Sequence, residues 1–420
     1  AGMSATVSAA DAPAGFPYWR RNRYALACAT FLLAVGFGSA NPFLPLAVKE
    51  LGVTQHVETW VGYMAGGYFL LSFFLTPVWG VVSDHYGRKL MVLRTSFGMG
   101  VLTLLMPFAP TIGWFMALFL LMGTTNGFNP ASQALIVTTT PPKEMGKSLA
   151  LVTSGSLLGG ATGPAVGAAL ASWLPNYRSL FFVNAAFVFG AGLLALVFAR
   201  ERYVRPTGTF QLNLRSDFRT ILALPDIKVL YPMVLCYTLT YYGSVTIISV
   251  YTLEMLNHAG ITRAADVNFW VGAVAISFTV ASGIAVPLWG SLLDRLGASR
   301  VLALSLLCGG LGALPVALVF SPLQLTVARG LMGLVAVGIG PAAITLIKAR
   351  SPAGMEGRVL AYSAACGALG MGVGPFVAGQ IGPVFGLRAY FALNALLILS
   401  LLVVWLRAWG RHGVRSVASN

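Results

Sequence analysis

Charge is what this chain has least of. Only 9% of its 420 residues are Asp, Glu, Lys or Arg, and just 12 are acidic, against 57% hydrophobic. No water-soluble domain needs that balance. Histidine and cysteine are equally scarce, with four of each. His56, His85, His258 and His412 lie near loops or the tail, and none pairs with a nucleophile and a carboxylate, so the sequence holds no inventory for an enzyme. Cys28, Cys236, Cys308 and Cys366 fall within apolar runs as packing residues, without metal-ligand spacing and with no case for a disulfide. Met233, Cys236, Met255 and His258 form no compact copper ligand set. A phosphate-binding glycine loop of the ATPase type is also missing, so no cofactor is called for and transport, if present, is secondary.

What is there is apolar length. A helix needs roughly 20 mostly apolar residues to cross the hydrocarbon layer. Twelve such runs lie near 24–48, 58–82, 90–108, 112–139, 148–173, 179–199, 229–256, 268–292, 298–320, 322–349, 358–384 and 388–408. No segment alternates as a barrel strand would. The fold class is therefore an all-α integral membrane protein. The run after Arg23 is too long for a signal-peptide core and is taken as the first span.

The net charge of +15 invites a nucleic-acid reading, which its distribution excludes. With both termini cytoplasmic, 22 of the 27 Lys and Arg fall in the N-terminal arm, the inner loops or the tail. Lys49, Arg178, Arg263 and Arg388 fall outside, and Arg329 lies within a span. That is the positive-inside distribution of a multi-pass plasma-membrane protein, of the bacterial inner-membrane kind. The expected organisation is an arm (1–23), a six-helix bundle (24–199), a linker (200–228), a second bundle (229–408) and a tail (409–420). Leu212, Leu214, Phe218 and Ile221 suit a short linker helix on the inner membrane surface. Membrane lipid is the one large partner implied, and a monomer suffices.

The chain is also written twice. Pro77-Val78-Trp79-Gly80 returns as Pro287-Leu288-Trp289-Gly290, and Gly127-Phe128-Asn129-Pro130 as Gly338-Ile339-Gly340-Pro341. Gly159 and Gly163-Pro164 return as Gly370 and Gly374-Pro375, and Arg178 with Asn184 as Arg388 with Asn394. The offset is always 210 or 211 residues. Two homologous apolar halves are how many carriers are built, with the substrate site between them.

Gly80-x-x-x-Asp84-x-x-Gly87-Arg88-Lys89 lies between the second and third spans, and Gly290-x-x-x-Asp294-Arg295-x-Gly297 is its weaker copy. The loop resembles the signature of the major facilitator superfamily. Gly80 suits close approach of a neighbouring helix, Gly87 a tight turn, and Asp84 with Arg88 charge-assisted bonds across a cytoplasmic seam. Gly155, Gly159, Gly163-Pro164 and Gly167 resemble the glycine-proline motif of the superfamily's antiporters, although ordinary tight packing accounts for them too. Gly36 followed by Pro42-Phe43-x-Pro45 is similar to the twelve-span drug:proton antiporter branch. That resemblance implies two pseudo-symmetric six-helix bundles and export of small amphipathic compounds against protons. Asp84, Arg88, Asp294, Arg295, Gly80, Gly87, Gly159, Gly163 and Pro164 would then form the conformational gate.

Two departures from the branch shape the expected site. Its fourth-span Arg, twelve residues before the Pro matching Pro130, is here Leu118, whereas the matching place before Pro341 is Arg329. No Asp or Glu lies deep within a span. A charge at mid-bilayer is costly unless it faces water, a partner or a ligand, so a site using Arg329 favours an anionic or neutral substrate. The other reading of Arg329 is a side chain bonded to backbone carbonyls or reaching the outer interface. Further cavity candidates are Asn41, the fourth-span stripe Met122, Asn126, Asn129 and Gln133, and Tyr237 and Tyr241 in the seventh span. Helix–helix hydrogen bonding explains any one of them equally well. By elimination Glu254, closing the seventh span, is the candidate proton carrier, with partial burial raising its pKa. The other reading of Glu254 is a solvated carboxylate. The expected function is proton-coupled efflux of amphipathic compounds, and the alternative is a carrier for an anionic metabolite or siderophore.

Overall fold

A computed structural model describes residues 17–201, 225–352 and 355–417. The linker segment with Leu212, Leu214, Phe218 and Ile221 lies outside the described residues, as does most of the arm. The first crossing is α1 (Trp19–Ala40), a 3-10 turn (Asn41–Phe43) and α2 (Leu44–Glu50). Then come α3 (Val57–Tyr86), α4 (Arg88–Leu105), the pair α5 (Ile112–Thr125) and α6 (Phe128–Thr139), α7 (Pro142–Ala171) and α8 (Leu180–Phe198). The second half runs through α9 (Pro225–His258), α10 (Ala264–Leu296), α11 (Ala298–Leu318), the pair α12 (Pro322–Ala336) and α13 (Ile339–Ala349), α14 (Glu356–Phe385) and α15 (Leu387–Val417). There is no strand among the described residues. Among the described residues eleven segments are long and apolar enough to cross a membrane. The fourth crossing is not, because its helix stops at Thr125 and restarts at Phe128.

Helix ends depart from expectation in one direction. The first helix starts at Trp19, which puts Arg20, Arg21 and Arg23 on its opening turns rather than in a loose arm. The last helix runs on to Val417, past the expected end at 408. Arginine stems lengthen such ends cheaply, since the stem covers apolar surface while the head finds a partner. Arg21 donates to Val197 O at 2.7 Å, and Arg23 stands 3.6 Å from the Glu144 carboxylate. The helix ends carrying most Lys and Arg define the basic end of the molecule; the opposite end is the far end.

At three turns the chain reverses on one glycine. Gly87, Gly297 and Gly386 have φ of +96°, +79° and +82° with ψ near 155°, a region open essentially to glycine alone. Orphan N–H groups at two helix starts are met by glutamates. Glu201 accepts from the backbone of Arg88 and Lys89 at 2.9 and 2.8 Å, and Glu50 from that of Tyr177 and Arg178 at 2.7 and 3.2 Å. Both carboxylates thereby sit at the favourable pole of a helix.

Within each half, small residues bring backbones together. The stripe Gly155, Gly159, Gly163 and Gly167 of α7 packs on Ala27, Phe31, Val35–Gly38 and Ser39 of the first crossing, and Gly370 and Gly374 of α14 pack likewise on Leu235 and Leu239 of α9. Without a hydrophobic force between helices in lipid, such close contact is a main source of association.

Between the halves the seams repeat the same symmetry. A methyl added to Gly62 would stand 2.6 Å from Pro375 O, and one added to Gly272 would stand 3.3 Å from Pro164 O and 2.7 Å from Ala168. Hydrogen bonds reinforce the far end of these seams. Thr59 donates to Gly379 O at 2.9 Å, Gln380 to the Tyr63 hydroxyl at 2.8 Å, and Tyr177 to Asn268 at 3.0 Å. The far-end core is shared, with Leu253 and Val271 packed among residues of the first half. At the basic end each half has its own core, and Gly80, Gly146, Gly283 and Gly290 have nothing within reach of an added methyl. Among the described residues the hydrogen bonds joining the halves all lie at the far end, so that end is closed and the basic end is parted.

Candidate functional site

The parted halves meet near mid-depth in a chain of rings. Phe37 lies 6.1 Å from Tyr68, Tyr68 lies 5.0 Å from Phe69, and Phe69 meets Tyr242 of the other half edge-on at 5.2 Å. From there Tyr242 contacts Tyr241 at 5.1 Å, which contacts Phe278 at 5.5 Å and Tyr237 at 6.3 Å. Ring pairs at these spacings hold one another in place by about 1 kcal/mol each beyond burial.

Arg329 ends that chain. Its guanidinium carbon lies 4.8 Å from the centre of the Phe278 ring and its Nη1 donates to the Met332 sulfur at 3.7 Å. The residue is 3% exposed and its Nε has no partner among the described residues. A cation–π contact contributes about 2 kcal/mol when desolvated, less than a lone charge loses on leaving water. Neither bland role applies, since no backbone carbonyl among the described residues holds it and it does not reach the far interface.

The register of contacts refines the repeat. Tyr68 packs edge-on against Phe119 at 6.0 Å, and Phe278, its counterpart 210 residues on, faces Arg329. Trp79 donates to Thr124 O and Trp289 to Leu334 O, both at 2.8 Å. The place matching Arg329 is therefore Phe119, not Leu118 as counting back from proline implied. The offset becomes 211 only after Thr124, so the tenth crossing has one residue more than the fourth at that level. There Val337 and Gly338 stay near helical angles, whereas in the fourth crossing Asn126 is extended and Gly127 has φ of +128°.

That break organises a polar group missed by sequence reasoning. Asn126 donates to Ser72 Oγ at 2.9 Å and accepts from the Gly127 backbone at 2.8 Å. Arg94, counted with the inner-loop charges, instead projects from α4 to the break. It lies over Trp79 at 3.7 Å and reaches Thr124 O and Asn126 O at 3.4 Å each. The sequence signal was present, because Arg94 follows Lys89 by more than a helical turn.

The other expected site residues are dispersed. Met122 is 1% exposed and takes a bond from Thr103 at 3.7 Å, so it belongs to the core of the first half rather than to the cavity. Asn129 and Gln133 are exposed on α6, one face toward the basic end. Asn41 is exposed in the 3-10 turn beside α7 and α10. Glu254 is half exposed at the far end of α9, 3.8 Å from His258. Among the described residues nothing lies within 4 Å of a methyl built on Gly80, and Asp294 and Arg295 are exposed. The Asp84 side chain lies outside the described residues. Arg88 is partly buried, with its backbone held by Glu201 and no bond across the seam among the described residues.

Two pseudo-symmetric bundles around a mid-depth site, closed at one end and open at the other, define a membrane carrier. A family model for the Major Facilitator Superfamily matches residues 26–232 and 233–418, and the chain belongs to that superfamily. It is 32% identical over 383 residues to the multidrug resistance protein MdtG of Rahnella sp. (strain Y9602), covering 91% of this chain and 92% of that one. To MdtG of Klebsiella pneumoniae (strain 342) it is 31% identical over 396 residues, covering 94% of each. Among solved structures, the nucleoside transporter NupG superposes with a TM-score of 0.74 at 12% identity, covering 92% of this chain and 99% of that one, a likeness of fold alone.

Proposed function

We propose that this carrier exports small amphipathic compounds from the cytoplasm by alternating access, coupled to proton influx. The observation that carries the reading is the ring path from Phe69 through Tyr242 and Tyr241 to Phe278 under Arg329. Such a surface takes flat apolar bodies of varied shape, because stacking and burial ask little about identity. The likeness to multidrug resistance proteins supports export of several compounds over carriage of a single anionic metabolite or siderophore. A bacterial inner membrane, with both termini cytoplasmic, fits the basic end as the cytoplasmic side. On that assignment the described state faces inward, ready to load.

Charge narrows the cargo. The described residues place two arginines at depth, Arg94 and Arg329, and no carboxylate beside either. Neutral and anionic amphiphiles are admitted, and organic cations are disfavoured by like-charge repulsion in a poorly solvated site. The conformational gate is assigned to Gly80, Asp84, Gly87, Arg88, Asp294 and Arg295 at the inner end, with Pro164 at the seam against Gly272 of the other half and Gly159 and Gly163 holding α7 to the first crossing behind it. The test is expression in a host stripped of its own exporters. Raised tolerance to several neutral or anionic amphiphiles, with none to quaternary ammonium compounds, is the expected result. Protection confined to cations contradicts the charge argument, and protection against none contradicts export.

A further inference from the structure

We infer that Arg94 is a specificity-determining residue of the cargo site, reading an acidic group on an amphipathic substrate. The inference rests on the export reading above and adds the first half's own contribution to recognition.

The two halves supply their own control. Trp79 and Trp289 make the same bond, to Thr124 O and Leu334 O, at the same 2.8 Å. Gly100 packs on Phe189, and Gly310 on Leu399, at the same offset of 210, which fixes Leu304 as the counterpart of Arg94. The second half thus holds its tryptophan and its tenth crossing with a leucine there. Arginine is not needed to make that lock.

Nor is Arg94 well occupied. Its bonds to Thr124 O and Asn126 O are 3.4 Å and that to Thr95 Oγ1 is 3.3 Å, against about 2.8 Å for a strong charge-assisted bond. Its Nε is buried without a partner among the described residues. The ion pairs among the described residues lie at the two ends of the molecule, so no carboxylate balances it. The guanidinium carbon lies 3.7 Å from the centre of the Trp79 ring, a cation–π contact that holds the head beside the break. A planar and under-bonded fork suits a carboxylate, sulfonate or phosphonate taken bidentately.

The test uses two dyes with one ring system, anilinonaphthalene sulfonate and neutral N-phenylnaphthylamine, binding to the purified full-length protein. In Arg94→Gln, the sulfonate is expected to bind at least about tenfold more weakly and the neutral dye within about twofold of wild type. Arg94→Lys should recover part of the sulfonate affinity. An equal loss for both dyes in either variant would mark Arg94 as a cap on the broken helix and overturn the inference. Unchanged sulfonate affinity in both variants would overturn it too. Should Arg94→Gln fail to fold, the Lys variant decides, since loss of the bidentate fork must weaken the sulfonate alone. Failure of the export reading shows separately, as absence of wild-type transport of either dye in vesicles.

Discussion

Phe119 and Arg329 occupy the same place in the two halves, each against the aromatic residue of the neighbouring helix that the repeat makes equivalent, Tyr68 in one case and Phe278 in the other. The two halves are therefore matched in position and unmatched in charge at this level. The first half offers a ring where the second offers a cation, and each is almost fully buried. Arg94 inverts the pattern, a cation in the first half where the second has Leu304.

Arg329→Leu should weaken an anionic cargo about ten- to a hundredfold, the scale of one lost charge-assisted contact. Arg329→Lys should keep part of the affinity, because ammonium supplies charge without the fork. Equilibrium binding of the sulfonate dye to both well-folded variants is the measurement. Equal affinity for wild type and the Leu variant would remove Arg329 from the site.

Much of this was legible before any coordinates. Apolar run length placed all twelve crossings, and the repeat placed the halves, because membrane helices must satisfy their own backbone bonds and declare themselves by composition. For the same reason the sequence marked Arg329, Tyr237 and Tyr241 as polar groups that turn from lipid into the protein, where they lie buried or partly buried; their role toward cargo is the proposal made above. Met122 was not, since in a run where nearly every residue is apolar the helical period no longer says which face is core. The break at Asn126–Gly127 had left a trace in the offset change from 210 to 211, but only contacts showed which residue was missing. Arg94 was lost to a miscount, grouped with the inner-loop charges although the apolar run 90–108 contains it. The closed far end could not be read at all, because a carrier's sequence encodes both of its states.

Gly62→Val should hold the far end open. A side chain there meets Pro375 O and the Gly379 backbone, and overpacking of this kind costs about 1–3 kcal/mol, enough to shift a two-state balance about five- to a hundredfold. Gly272→Val should act the same way through Ala168 and Pro164. Thiol labelling of a cysteine placed at Thr59 should quicken in both variants while flux falls. Unchanged labelling would show that the seam tolerates the bulk and is no gate.

Asp84→Asn concerns the opposite gate. If Asp84 and Arg88 close the basic end in the outward-facing state, the variant should populate the inward-facing state more. Labelling of cytoplasmic cavity positions should rise and transport should drop, at normal expression. Identical labelling and flux would reduce the loop to a structural turn, with Gly87 its essential member.

Glu254→Gln tests the coupling candidate at the outer end of the seventh span. Its carboxylate is half exposed and stands 3.8 Å from the exposed His258 imidazole. Proton-driven accumulation should stay within about twofold of wild type, since surface pairs contribute little. Loss of accumulation with intact substrate exchange would restore Glu254 as the carrier of the proton.

The account stands most directly on transport in inverted membrane vesicles energised with a proton gradient. Vesicles containing the protein should accumulate both N-phenylnaphthylamine and anilinonaphthalene sulfonate, lose that accumulation when nigericin collapses the pH gradient, and show no accumulation of tetraphenylphosphonium. Protein-dependent accumulation of the cation alone, or of none of the three, would contradict the account.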